Sequence, residues 1–102
     1  MTRQQVLAWL NERCPAPPPG LRAHLEAAVV DAPDPLPEHL ARLGSDLLAR
    51  VASHPAGGRE VALDLLAADA FVTYAFEAQA EAAVTGLAGL AAQVAAEDAA
   101  AS

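Results

Sequence analysis

The chain has no lysine and no isoleucine, one cysteine and four aromatic residues in 102. Each shortage excludes something. With Cys14 alone, no intramolecular disulfide forms and a cysteine-built zinc site is out of reach. Cys14, just before Pro15, is expected to be a small buried apolar residue at a helix end. Basic residues vanish after Arg59. Residues 60–102 carry seven acids and no base, whereas residues 1–59 balance six Arg against six acids, so the net charge of −7 belongs to the second part. Such a surface repels nucleic-acid phosphates and anionic lipid head groups, which argues against both as partners. The reading of an acidic half is a solvated face, with a basic protein partner as the alternative.

Strand signals are also missing: no run of alternating β-branched residues and no hairpin turn between such runs. No internal repeat is visible. The N-terminus lacks the pattern of a secretory signal, since Arg3 is followed by Gln4 and Gln5 and then a mixed stretch. From Ala82 to Ala96 no residue is charged, but fifteen residues rich in Ala fall short of the roughly 20 needed to span a bilayer. The expectation is a cytoplasmic protein without a membrane span. The bias to Ala, Arg, Pro and Gly suggests a high-GC bacterial source.

What remains is helical. The expected fold is all-α, a small bundle of four to five helices. Three short helices pack on a long central helix, about 59–85, followed by an Ala-rich C-terminal helix. The length sets a single domain over 1–98 with a frayed tail at 99–102. The first helix spans about Thr2 to Cys14. Thr2 and Gln5 make a capping box, and Pro15 stops the helix. The prolines between Pro15 and Pro19 form a stiff connector. The second helix spans about Pro19 to Asp31. The third spans about Pro37 to Ser53, with Leu36, Leu40, Leu43, Leu47 and Val51 as its core-facing seam. Gly44 interrupts that seam at a cost of about 1 kcal/mol relative to Ala, which suits a close approach by the central helix. His54 to Gly58 turns the chain.

The central helix, Arg59 to Glu81, holds three of the four aromatics and no Pro or Gly. At about 100° per residue, Asp64, Phe71, Ala75 and Ala78 share one side. Val61, Leu65, Val72 and Phe76 make a second, and Leu63, Ala67, Ala70 and Tyr74 a third. The mostly polar arc is Asp69, Thr73, Glu77 and Glu81, shared with Leu66. A rod apolar on so many sides exceeds what three short helices can cover. One face can meet the rest of the chain and another a second copy.

Catalytic constellations are absent from the sequence. His24, His39 and His54 have Leu21, Leu36 and Val51 three residues upstream, so no Glu-x-x-His pair of a di-iron bundle exists. No serine sits in G-x-S-x-G, and there is no phosphate loop or G-x-G-x-x-G. Asp64 and Asp69 lie about 140° apart on a helix and cannot share one ion. No enzyme, cofactor or metal site is therefore expected. Three placements are open for the two aspartates: Asp69 on the exposed arc, either one paired with Arg42 or Arg50, or a functional site. The hydroxyl of Tyr74 is expected at a helix contact.

The leading expectation is a non-enzymatic helical protein acting by protein–protein contact, as a homodimer or an accessory subunit. Its candidate interaction or ligand face is Asp69, Phe71, Tyr74, Phe76, Gly86 and Gly89. The alternative is an apolar-ligand pocket between helices three and four, with Asp69, Tyr74 or His54 as the polar handle. That alternative predicts a cavity beside Phe71 and Tyr74.

Overall fold

The computed structural model describes residues 1–54 and 57–101. It contains four helices and, among these residues, no strand: α1 (Arg3–Asn11), α2 (Pro19–Ala28), α3 (Leu36–Ala52) and α4 (Arg59–Ala101). The turn expected between His54 and Gly58 lies partly outside the described residues, at positions 55 and 56, as does the last residue of the expected frayed tail.

The capping box at the start of α1 forms as the sequence implies. The Thr2 hydroxyl accepts from the Gln5 amide, and the Gln5 side chain accepts from the Thr2 amide. The helix stops at Asn11, three residues before Cys14. Its last turn tightens, the Glu12 and Arg13 amides bonding to the Trp9 and Leu10 carbonyls. Cys14 is therefore off the helix and exposed, not a buried helix-end residue. Pro19 opens α2 at its first position, where a missing N–H costs nothing. α2 ends at Ala28, short of Asp31. Val29 turns extended there, and the Arg3 guanidinium donates to the Glu26 and Val29 carbonyls at 3.0 and 3.1 Å. A cation on the last carbonyls of a helix satisfies orphan acceptors and the dipole together. The terminal ammonium of Met1 donates to the Ala32 and Asp34 carbonyls, fixing the start of α1 against the link between α2 and α3.

The core is a thin layer where α3 lies on α4. Leu40, Leu43 and Leu47 of the leucine seam are buried against Ala67, Ala68, Phe71 and Ala78, and Val6, Leu25 and Val29 close it from the side. Each such Leu, Val or Phe contributes roughly 1.5–3 kcal/mol by leaving water. Gly44 makes the approach possible. A Cβ there would stand 3.0 Å from a Val72 methyl and 3.1 Å from the Ala68 carbonyl oxygen.

The long helix differs from the expectation in two ways. It does not end near residue 85 to leave a separate C-terminal helix: α4 runs unbroken for 43 residues through Gly86 and Gly89. Nothing lies within 4 Å of where a Cβ would sit at either glycine, so no packing contact forces a kink there. Nor is α4 ringed by its neighbours. One flank is buried, and every described residue from 79 onward is exposed. Twenty residues, 82–101, extend as an arm about 30 Å long. The arm accounts for the 69 × 24 × 19 Å outline of the chain.

Candidate functional site

Two polar clusters hold α4 in place, and between them they set which side faces out. The first is Asp64. It lies on the buried flank, 6 % exposed, and its Oδ1 is 2.5 Å from His24 Nε2 on α2 and 3.6 Å from an Arg50 Nη on α3. A carboxylate in an apolar layer is costly unless paired, and here two helices supply the partners. Arg50 was legible as a partner from the sequence. His24 was not, because no periodicity links residues 40 apart.

The second cluster closes the other end. The Trp9 indole Nε1–H donates to Glu81 Oε2 at 3.1 Å, and Arg13 donates to Glu81 Oε1 at 2.5 Å and lies 3.5 Å from Glu77. The Arg13 guanidinium stacks 3.7 Å above the Trp9 ring, whose edge-on neighbour, at 5.9 Å and 83°, is Tyr74. Burial works against the Arg13 charge, but Glu81 and Glu77 more than offset it and raise its pKa further. The hydrogen bonds from Arg13 and then Trp9 hold the Glu81 carboxyl below its ordinary value. Burial and the neighbouring Glu77 push the Tyr74 hydroxyl up.

With Asp64 turned inward and Glu81 turned toward α1, a third side of α4 is left without cover. It is the side of Leu65 and Phe76, shared with the half-buried Val61 and with Val72, one methyl of which packs against Gly44 of α3. Leu65 is 50 % exposed and Phe76 is 73 % exposed. The same line continues along the arm through Ala83, Leu87, Leu90 and Val94, all within about 60° of one another around the helix. Leu87 is 67 % exposed, and Leu90 and Val94 are more than half exposed. On the α3 side the stripe is bordered by two open grooves. One is lined by Leu48, Leu65, Asp69 and Val72, the other by Pro37, Ala41, Val72 and Phe76. Isolated apolar residues on a surface need no explanation; these follow one another along one side of α4.

The six residues singled out from the sequence do not form one face. Phe71 is fully enclosed in the core, and Tyr74 is half-buried against Trp9. Asp69 is exposed at the edge of the stripe and Phe76 lies at its centre. Gly86 and Gly89 are exposed on the arm, on the continuation of the buried flank. Leu87, Leu90 and Val94, which the sequence reading did not single out, are exposed on the side of α4 that carries Phe76.

The ligand pocket imagined between α3 and α4 has no enclosed counterpart among the described residues. Phe71 is fully buried, and Tyr74 borders a tight cleft with Leu10, Arg13, Pro17 and Leu25 on the opposite side of α4. His54 bonds to the Arg50 carbonyl at the end of α3, away from Tyr74. No group of three or more potential metal ligands exists among the described residues, and no described helix is long and apolar enough to cross a membrane. Compared with protein-family models, with curated proteins and with solved structures, the chain matches none.

Proposed function

We propose that this protein acts by protein–protein contact, as a homodimer or an accessory subunit, through the apolar stripe of α4. The observation that carries the reading is the uncovered line from Leu65 to Val94, on a helix whose supported half packs another flank on α3 and turns Glu77 and Glu81 to Arg13. The arm adds support. Helices gain most of their stability from packing an amphipathic face. Residues 82–101 have the stripe but no surface of their own chain to lay it on.

The alternative, a binder of small apolar molecules, finds less support, since such sites are concave and enclose most of the ligand. The grooves beside Val72 are open and suit a helix better.

The test combines sedimentation with hydrogen exchange of the arm amides on the full chain and on a Phe76→Asp, Leu87→Asp variant. Association of the full chain, with itself or with a stoichiometric partner, should slow exchange over 82–101, and the variant should lose both. A full chain that stays monomeric, recovers no partner that the variant fails to recover, and exchanges its arm rapidly would overturn the reading.

A further inference from the structure

We propose that the two grooves beside Val72 form one seat for a basic amphipathic helix of a partner protein, its apolar face on Val72 and Phe76 and its cations at Glu38 and Asp69. The proposal rests on the contact reading above, in its accessory-subunit form, and adds the chemistry of the partner.

Shape sets the class of occupant. Both grooves lie between α3 and α4, and Val72 lines each of them. Leu48 stands with Leu65 and Asp69 at one end, and Pro37 with Phe76 and Gln79 at the other, so the two make one trough. From Leu65 to Gln79 it runs about 20 Å along α4, room for a helix of about four turns. A helix lays its apolar face into such a trough and keeps its polar residues at the rims.

Charge sets the sign. Five of the six Arg are committed within the chain. Arg3 holds the carbonyls at the end of α2, Arg13 binds Glu77 and Glu81, Arg22 binds Glu26, Arg42 binds Asp34 and Arg50 reaches Asp64. Glu38 on the α3 rim and Asp69 on the α4 rim are left over. Both are exposed and line the trough, and neither has an ion pair or hydrogen bond among the described residues. Arg42 stands one turn from Glu38 but is turned to Asp34 at 3.0 Å. No described base lines the trough.

A lone exposed acid is simply solvated. Two acids on opposite rims of one apolar trough, with no cation from their own chain, favour a partner that brings cations to both. They also select among partners. The α4 of a second copy has no base after Arg59 and would add acids to acids. Nucleic acid and anionic lipid are repelled by the same charge.

The probes are three helix-stabilised peptides of about fourteen residues, sharing one Leu and Ala face and carrying Lys, Gln or Glu on the flanks. Binding to the full chain is read by the anisotropy of a dye on the peptide. The Lys peptide should bind about three- to ten-fold tighter than the Gln peptide at low salt, and the Glu peptide weakest, with the gaps closing as salt is added. Glu38→Gln with Asp69→Asn should abolish the Lys preference and leave the Gln peptide unchanged, which also shows that the trough is intact. Asp46→Asn, at an exposed acid of α3 outside the trough, should preserve the preference. Phe76→Ala should weaken all three peptides. Equal binding of the three, tightest binding of the Glu peptide, or a Lys preference that survives the double variant overturns the proposal. Absence of binding by any peptide overturns it too. Sedimentation then separates the two readings: a full chain that associates through Phe76 and Leu87 keeps the contact reading, and one that stays monomeric and recovers no partner loses both.

Discussion

Glu81 accepts from both Trp9 and Arg13, residues about 70 positions earlier in the chain, and immediately beyond it α4 leaves the body of the protein. The clamp is built from a cation stacked on an indole and an acid that engages both. It orients α4 about its own axis, and so decides that Leu65 and Phe76 face outward while Tyr74 faces α1.

The clamp predicts an acid-sensitive component of stability. The Glu81 carboxyl has a depressed pKa in the folded chain, so its contribution is present above its unfolded value and lost as pH falls through the folded one. Urea unfolding of the wild type should weaken from about pH 5 downward more steeply than that of Glu81→Gln, whose curve should already be lower at neutral pH. Parallel curves for the two proteins would contradict the arrangement.

Asp64 predicts a coupling between helices. His24→Ala removes the nearest partner of a buried carboxylate and should cost about 2–3 kcal/mol in chemical denaturation. Replacing both, His24→Leu with Asp64→Leu, should cost less than the two single changes added together, because no uncompensated charge is left behind. Strict additivity would mean that the pair contributes nothing as a pair.

Glycine substitutions should act in opposite directions. Gly44→Ala puts a methyl group against a backbone carbonyl of α4, so α3 must move; despite better helix propensity the change should destabilise by about 1–3 kcal/mol. Gly86→Ala and Gly89→Ala meet open space in an exposed helix and should each add about 0.5–1 kcal/mol to the helicity of the arm, read by circular dichroism on heating.

Truncation after Glu81 separates the body from the arm. Deleted residues 82–101 make no buried contact within the chain, so unfolding at low concentration should change by no more than about 0.5 kcal/mol. Any dependence of melting temperature on concentration should disappear with them.

His39 is a core residue that composition alone does not place. It is fully buried, and its Nε2–H donates to the Val30 carbonyl at 2.8 Å, while Nδ1 has no hydrogen-bond partner among the described residues. His39→Ala should lose both the packing and the bond that holds the link after α2, costing about 2–4 kcal/mol in urea unfolding.

Much of this was legible without coordinates. Proline and capping residues bound the short helices to within a few positions, because both act on the local backbone. The leucine spacing from Leu36 to Val51 named the inner face of α3, since a seam flanked by polar residues has strong contrast. On α4 that contrast is missing. Leu65, Phe71 and Tyr74 point in three directions and are about equally apolar, so periodicity could count the sides but not choose among them. Tertiary packing chose: Gly44 admits Ala68 and Phe71, His24 draws Asp64 inward, and Trp9 with Arg13 holds Glu81. These contacts join residues far apart in sequence and depend on where three helices come to rest, which no local pattern encodes.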